Sequence, residues 1–225
     1  MRVVFRRCRA AVLACATLFC ATAAAFGQAP RSEAAKPEAA REEWQKVPEI
    51  FAALGISAGA RVADVGAGSG FFAVRLARAV GAGGRVFAVD VNPTAVRDLK
   101  ERVAREALAN VDVIAGDPAD PHLPDSLDAV LIVNAYHEMA DPQRMLDKIR
   151  QSLKLGGRLV IVEPIARQRE KTSRAQQWSN HEIALDYVVE DLRQAGFTIL
   201  ERRERFVENL LDRDTEWLIA ATPLY

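Results

Sequence analysis

Beyond Cys20 the sequence contains no cysteine, since Cys8, Cys15 and Cys20 are its full complement over 225 residues. Disulfide scaffolding, thiol catalysis and cysteine-based metal sites are thereby excluded from the body of the protein. Basic excess is lacking as well. The formal net charge is zero, yet the first 25 residues hold Arg2, Arg6, Arg7 and Arg9 with no acid, which leaves 26 bases against 30 acids in the remainder. A mildly acidic body lacks the electrostatic footprint that phosphate-backbone binding requires, so no nucleic-acid partner is expected. There is no internal repeat at the periods of solenoids or propellers. No Gly-Lys-Ser or Gly-Lys-Thr occurs, which removes the phosphate-binding P-loop.

What is present is ordinary for a globular chain: half of the residues are apolar and 27% are charged. The length suits one sizeable α/β domain and is short for two. The N-terminus stands apart. An arginine-rich start followed by an uncharged run from Ala10 to Phe26 has the anatomy of a secretory signal, and Ala23 and Ala25 are spaced for A-x-A cleavage near Phe26. Residues 1–25 are therefore expected to be a signal peptide or a membrane anchor. Competing readings are a mistaken start and lipid modification at Val12-Leu13-Ala14-Cys15, although little apolar sequence precedes that cysteine and the run falls short of a roughly 20-residue span. Arg6-Arg7 resembles the pair of a twin-arginine signal. Residues 26–41, rich in Ala, Pro, Glu, Lys and Arg without periodicity, read as a linker, and residues 42–225 as the folded domain. With the signal in use the protein is exported, as a periplasmic or membrane-anchored species; otherwise it is cytoplasmic.

From Glu42 onward, short β-rich runs alternate with helical patterns. Helices are expected over Glu42–Leu54, Phe71–Val80, Pro93 to about Ala109, Asp141–Leu153 and about His181–Ala195. Strands are expected over Arg61–Val65, Arg85–Asp90, Val111–Ala115, Leu127–Val133 and Arg158–Glu163, after the tight turn Leu155-Gly156-Gly157, then from Phe197 and over Trp217–Ala221. Pro164 to Asn180 reads as irregular. Such alternation implies an α/β doubly wound, mostly parallel sheet with helices on both faces and ligands at the carboxyl ends of the strands.

The chemistry concentrates after the first strand, in Asp64-Val65-Gly66-Ala67-Gly68-Ser69-Gly70. Three glycines between a strand and a helix allow a sharp turn and close approach of a ligand to backbone. A dinucleotide loop of the G-x-G-x-x-G form needs glycine at position 71, which is Phe71. An NAD-dependent oxidoreductase is disfavoured on that ground. Asp-x-Gly-x-Gly-x-Gly instead resembles the signature of class I S-adenosylmethionine-dependent methyltransferases. The resemblance covers about Trp44 to Ala221: Arg85-Val86-Phe87-Ala88-Val89-Asp90 resembles the family's second strand, Ile114-Ala115-Gly116-Asp117 the end of its third, Leu127-Asp128-Ala129-Val130-Leu131 its fourth, and Leu155-Gly156-Gly157-Arg158-Leu159 the turn into its fifth.

That resemblance implies a Rossmann-like, seven-stranded, three-layer α/β/α fold with S-adenosylmethionine as cofactor. It implies cofactor contacts from Asp64 at the methionine end, Gly66, Ala67, Gly68 and Gly70 in the loop, Asp90 with neighbouring Val91 at the ribose, Asp117 near the adenine, and Asn134. A bland alternative accompanies each acid: Asp64 as a turn cap, Asp90 and Asp117 as ordinary strand-terminal residues. The fourth strand ends at Asn134-Ala135-Tyr136-His137-Glu138, where a methyl acceptor belongs; Tyr136, His137 and Glu138, with His181 of Asn180-His181-Glu182, are the candidates for a base, a hydrogen bond or a wall. Their alternatives are packed or solvated loop residues and a helix cap by Asn180. Trp178 is a candidate for the acceptor pocket and Trp217 for the core. Only His122, His137 and His181 are available as imidazole ligands, and no metal site is expected. Glu201-Arg202-Arg203-Glu204-Arg205 reads as a solvated edge.

The function so implied is methyl transfer to a small-molecule acceptor by in-line displacement. The alternative is an exported, non-catalytic protein binding S-adenosylmethionine or another nucleotide, because the cofactor is made in the cytoplasm.

Overall fold

The computed structural model describes residues 38–209 and 214–224; the signal-peptide expectation for residues 1–25, and most of the expected linker, lie outside the described residues. Those described fall within one compact unit, Lys36–Tyr225. Among them, no helix is long and apolar enough to cross a membrane.

Seven strands form one sheet. β1 (Arg61–Val65), β2 (Arg85–Asp90), β3 (Val111–Ala115), β4 (Leu127–Val133), β5 (Leu153–Ala166), β6 (Phe197–Asn209) and β7 (Asp214–Pro223) lie in the order β3-β2-β1-β4-β5-β7-β6. β3 to β5 pair in parallel, whereas β7 runs antiparallel between β5 and β6. The apolar character of β1 and β4 follows from cover on both faces. On one face Val62, Ala129 and Leu131 pack with α2 (Val47–Leu54), α3 (Phe71–Val80) and Leu99 of α4 (Pro93–Arg105). On the other, Ala63, Val65, Val130 and Ile132 pack with α5 (Pro142–Ser152) and α7 (Leu185–Gln194).

The expected helix Glu42–Leu54 is two helices, α1 (Glu38–Trp44) and α2, and it begins four residues earlier than its sequence pattern shows. Pro48 has no N–H and its ring collides with the carbonyl four residues back, so the helix stops at Trp44 and resumes beyond a left-handed Lys46 (φ 51°). α4 ends at Arg105 rather than about Ala109, because left-handed Ala107 (φ 52°) lets the Leu108 amide reach back to Val103 at 3.1 Å. β5 is longer than expected at both ends. The expected Gly156-Gly157 turn is a bulge within it, where pairing jumps from Leu127–Leu153 to Ala129–Arg158. The stretch expected to be irregular contains α6 (Arg174–Trp178), opened by a capping box of Ser173 and Gln176. α7 starts at Leu185, not His181. Asn180 therefore caps no N-terminus; its amide donates to the Gln176 carbonyl at 2.7 Å, closing α6.

Strand order reverses between β1 and β4, so the crevice of this doubly wound sheet opens at their carboxyl ends. The polypeptide at those ends is the glycine loop and the Asn134–Glu138 segment.

Candidate active site

The glycine loop is shaped by three left-handed glycines, Gly66 (φ 79°), Gly68 (φ 52°) and Gly70 (φ 80°). Each has a different neighbour. A Cβ on Gly66 would lie 2.3 Å from the Cβ of Ala135, so two strand-end loops touch only because residue 66 has no side chain. A Cβ on Gly68 would meet no atom within 4 Å, and Gly68 lines the cavity. Gly70 faces Leu99 of α4, 2.5 Å from a notional Cβ, and serves helix packing rather than the cavity. Ala67 is buried, its amide donating to Val89 at 2.9 Å.

Asp90, ending β2, accepts the Gly68 amide through Oδ2 and the Asn92 amide through Oδ1, both at 2.8 Å. The carboxylate thus ties the loop to the second strand and, with about four lone-pair positions, keeps acceptor capacity beyond these two bonds. Asn92 in turn caps α4, accepting from Thr94 at 2.9 Å. Asp64 is 2% exposed, with a buried Oδ2 that has no hydrogen-bond partner among the described residues. Burial pushes its carboxyl up to about 7, opposed by hydrogen bonding at Ala73 and reinforced by the Asp90 charge.

These residues border a cavity of about 500 Å³ lined by Gly66, Gly68, Asp90 and Val91 at one end and by Asn134, Ala135, Glu138 and Met139 at the other. Asp117 also lines it, its exposed carboxylate engaged by His122 Nε2 at 2.9 Å. Of the residues expected at the cofactor, Gly66, Gly68, Asp90, Val91, Asp117 and Asn134 are brought together there; Asp64, Ala67 and Gly70 are not in its lining. Asn134 is left-handed (φ 52°), and its amide donates to Glu216 Oε1 at 3.2 Å. Glu216, which the sequence reading did not single out, is buried, and its carboxyl is pushed up to about 7 by that burial.

The acceptor end is organised by Glu163, the wholly buried acid of β5. It accepts the Ala135 and Tyr136 amides at 2.7 and 2.6 Å through one oxygen and His137 Nδ1 at 2.5 Å through the other. The carboxylate can only accept, so Nδ1 carries the proton and, in the neutral ring, Nε2 presents its lone pair. Burial disfavours the charged ring, but the Glu163 bond and charge outweigh it and raise the His137 pKa. Its one sequence signal is an acid inside the apolar run Val160-Ile161-Val162-Glu163.

Tyr136 is a correction. It points into the core, fully buried, and donates to Asp191 Oδ2 at 2.8 Å; burial pushes its phenol well above the usual range. Its hydroxyl is committed to Asp191, so it is no candidate base; of the segment Tyr136–Glu138 only Glu138 lines the cavity, and His181 does not line it either. Trp178 is likewise absent from the cavity lining and packs against the core beside Arg174. Trp217 is core as expected, its indole donating to Ile183 at 2.8 Å. No metal site is expected from the sequence; among the described residues, ligand atoms of His137, Glu138 and His181 lie within 4.8 Å of one another.

Among features absent from the sequence reading is a clamp over the loop. Buried Arg102 donates to the Ser69 carbonyl at 3.1 Å and to Glu38 at 2.9 Å, and Arg75 reaches Glu42 at 2.9 Å, fastening α1 to α3 and α4.

Comparison with known proteins agrees with this geometry. A methyltransferase-domain family profile matches residues 56–209. An arsenite methyltransferase of Halobacterium salinarum is 32% identical over 119 residues, 52% of this chain and 30% of that protein. The ubiquinone/menaquinone biosynthesis C-methyltransferase UbiE of a Marinomonas species is 30% identical over 111 residues, 48% of this chain and 44% of its own length. The chain thus spans less than half the length of these relatives. A crystal structure of an S-adenosylmethionine-dependent methyltransferase from Aquifex aeolicus superposes with a TM-score of 0.69 at 24% identity, covering 83% of this chain and 93% of the other, and shows the shared fold. By fold, loop geometry and profile, the chain belongs to the class I S-adenosylmethionine-dependent methyltransferase family.

Proposed function

We propose that this chain transfers a methyl group from S-adenosylmethionine to a small-molecule acceptor seated at the Asn134–Glu138 end of the cavity. The observation that carries the reading is the pairing of a side-chain-free Gly68 with an Asp90 carboxylate that retains acceptor capacity, above an unpartnered Asp64 oxygen. The cavity residues fit the cofactor: one carboxylate for two ribose hydroxyls, backbone bare enough for close approach, and a buried acid suited to an ammonium group. When bound, the cofactor supplies an electrophilic methyl on a sulfonium.

The protein's own contribution is placement. Orientation alone lowers such a barrier by roughly 7 to 11 kcal/mol, so no covalent intermediate on the protein is required. Val65, Val89, Met139 and Met145 line the cavity with apolar surface that keeps water from the reacting centre. At the acceptor end, Glu163 holds the His137 ring in one tautomer. The mildly acidic body and the small-molecule chemistry in the relatives' names both favour a small acceptor over nucleic acid. The N-terminal signal pattern adds export of the domain to this reading, tested by mass spectrometry of the mature N-terminus.

Calorimetry of the full chain with S-adenosylmethionine is expected to show one saturable site. Asp90→Ala should weaken it about a hundredfold, as loss of two hydrogen bonds to a charged acceptor implies. S-adenosylhomocysteine should be released when a panel of small acceptors is added. No heat at millimolar cofactor would overturn the cofactor assignment, and binding without turnover across the panel would overturn catalysis.

A further inference from the structure

We propose that His137, Glu138 and His181 form a binding site for a divalent transition metal of the zinc class, beside the end of the cavity that Glu138 lines. The ligand atoms are already gathered. His137 Nε2 lies 3.8 Å and His181 Nδ1 3.7 Å from Glu138 Oε1, and one ligand atom from each of the three residues lies within 4.8 Å of the other two. Ligands about 2.1 Å from a tetrahedral ion stand roughly 3.4 Å apart, so the trio needs to close by only a few tenths of an ångström along these two edges.

The second observation is the group behind His137. A metal-bound imidazole characteristically donates its other N–H to a carboxylate, which fixes the tautomer and raises the basicity of the ligating nitrogen. Glu163 does this here at 2.5 Å from Nδ1, itself immobilised by the Ala135 and Tyr136 amides. His137 is thus a rigid, nearly buried ligand with a directed lone pair, its side chain 5% exposed. Glu138 and His181 are 66% and 60% exposed, free to swing in and leaving positions on the ion open. His137 and Glu138 share the 3₁₀ turn Tyr136–Glu138 after β4, while His181 comes from the connection between α6 and α7, so the site exists only in the folded chain.

Two imidazoles and one carboxylate suit zinc, cobalt, nickel, manganese or ferrous iron; calcium and magnesium favour all-oxygen shells. Of the three, Glu138 lines the cofactor cavity, which puts the ion at the cavity's edge. An acceptor hydroxyl or thiol entering such a position would bind as its anion: the metal–oxygen or metal–sulfur bond forms, the O–H or S–H bond breaks, and the proton leaves to water. That use of the metal rests on the methyltransferase reading, whereas binding of the ion does not.

The test uses the full chain with Cys8, Cys15 and Cys20 replaced by serine, so that no thiol supplies ligands, stripped with a chelator. Zinc binding is followed by calorimetry and cobalt binding by visible absorption. One equivalent of each is expected, with the intense bands of a low-coordinate cobalt site. His181→Ala and Glu138→Gln, both at exposed positions, should each weaken zinc binding at least tenfold and alter the cobalt spectrum; Glu163→Gln should weaken it by about 10- to 100-fold. No saturable uptake, or uptake unchanged in His181→Ala and Glu138→Gln, overturns the site. S-adenosylmethionine titrated into the metal-free protein separates the two readings, since cofactor binding without metal uptake overturns only the metal site and metal uptake without cofactor binding only the cofactor assignment.

Discussion

Glu163 Oε2 lies 2.5 Å from Nδ1 of His137, joining the carboxyl end of the fifth strand to the turn that follows the fourth. The same side chain accepts two backbone amides of that turn, so one buried carboxylate satisfies three donors. Replacing it with glutamine keeps the shape but substitutes an N–H₂ for one acceptor oxygen, which must then face a donor. Glu163→Gln should lower unfolding free energy by about 2 to 3 kcal/mol, the cost of leaving buried donors unsatisfied. Urea denaturation checks this. A change below about 0.5 kcal/mol, the level of an ordinary surface substitution, would mean that the turn is held by other contacts.

Tyr136 and His137 are adjacent, yet they turn to different acids, the phenol to Asp191 in the core and the imidazole to Glu163. Tyr136→Phe removes one bond to Asp191, which keeps Arg174 at 2.8 and 2.9 Å. The expected loss is about 1 kcal/mol of stability, with cofactor affinity unchanged and methyl transfer at the parental rate under saturating acceptor. A fall in kcat without a fall in stability would return Tyr136 to the chemistry.

The two loop glycines should separate structure from ligand binding. Gly66→Ala drives a methyl into Ala135, which has no flexible end to yield, and adds the strain of a left-handed alanine; about 3 kcal/mol of destabilisation is expected. Gly68→Ala meets no protein atom and carries only the backbone strain of about 1 to 2 kcal/mol, yet its methyl stands in the wall of the cavity. Thermal unfolding should therefore rank Gly66→Ala as the less stable variant. Calorimetry should show Gly68→Ala losing more cofactor affinity than its stability change accounts for.

What could be seen in the sequence is what local constraints determine. Strand β1, the glycine loop and Asp90 are legible because a turn of left-handed residues admits few side chains and an acid ending an apolar strand stands out. Pro48 also carried a readable warning that helix Glu42–Leu54 would break. Other features depend on partners distant in sequence: Glu163 meets residues 26 to 28 positions away, and Arg102 meets Glu38 across 64. No periodicity encodes such encounters. The segment at His181 has helical composition, yet His181 sits in a left-handed turn (φ 56°) after α6, its amide donating to the Trp178 carbonyl at 3.0 Å, and a bond from the Ala184 amide to the Gln177 side chain holds the chain off the helix until Leu185. That turn places the His181 ring beside His137, ring centroids 5.8 Å apart.

Asp64 makes the cofactor site sensitive to pH. Burial raises its carboxyl from 3.8 to about 7, so between about pH 4 and pH 7 the folded chain holds a proton that the unfolded chain has released. Its contribution to stability is therefore greatest below that window, declines as pH rises through it, and levels off above about 7. Glu216, also pushed up to about 7, has the same sign, so Asp64→Asn should remove only part of the slope. Binding runs the other way. A cationic methionine end pairs with the ionised carboxylate, so affinity for S-adenosylmethionine should climb from about pH 5 to about pH 8 and then flatten, with proton release on binding near pH 6. Asp64→Asn should flatten that rise, bind more weakly at pH 8, and leave the free protein more stable there. Calorimetry in buffers of differing ionisation enthalpy measures the released proton directly, and a pH-independent affinity in the parent chain would place the cofactor's charged end away from Asp64.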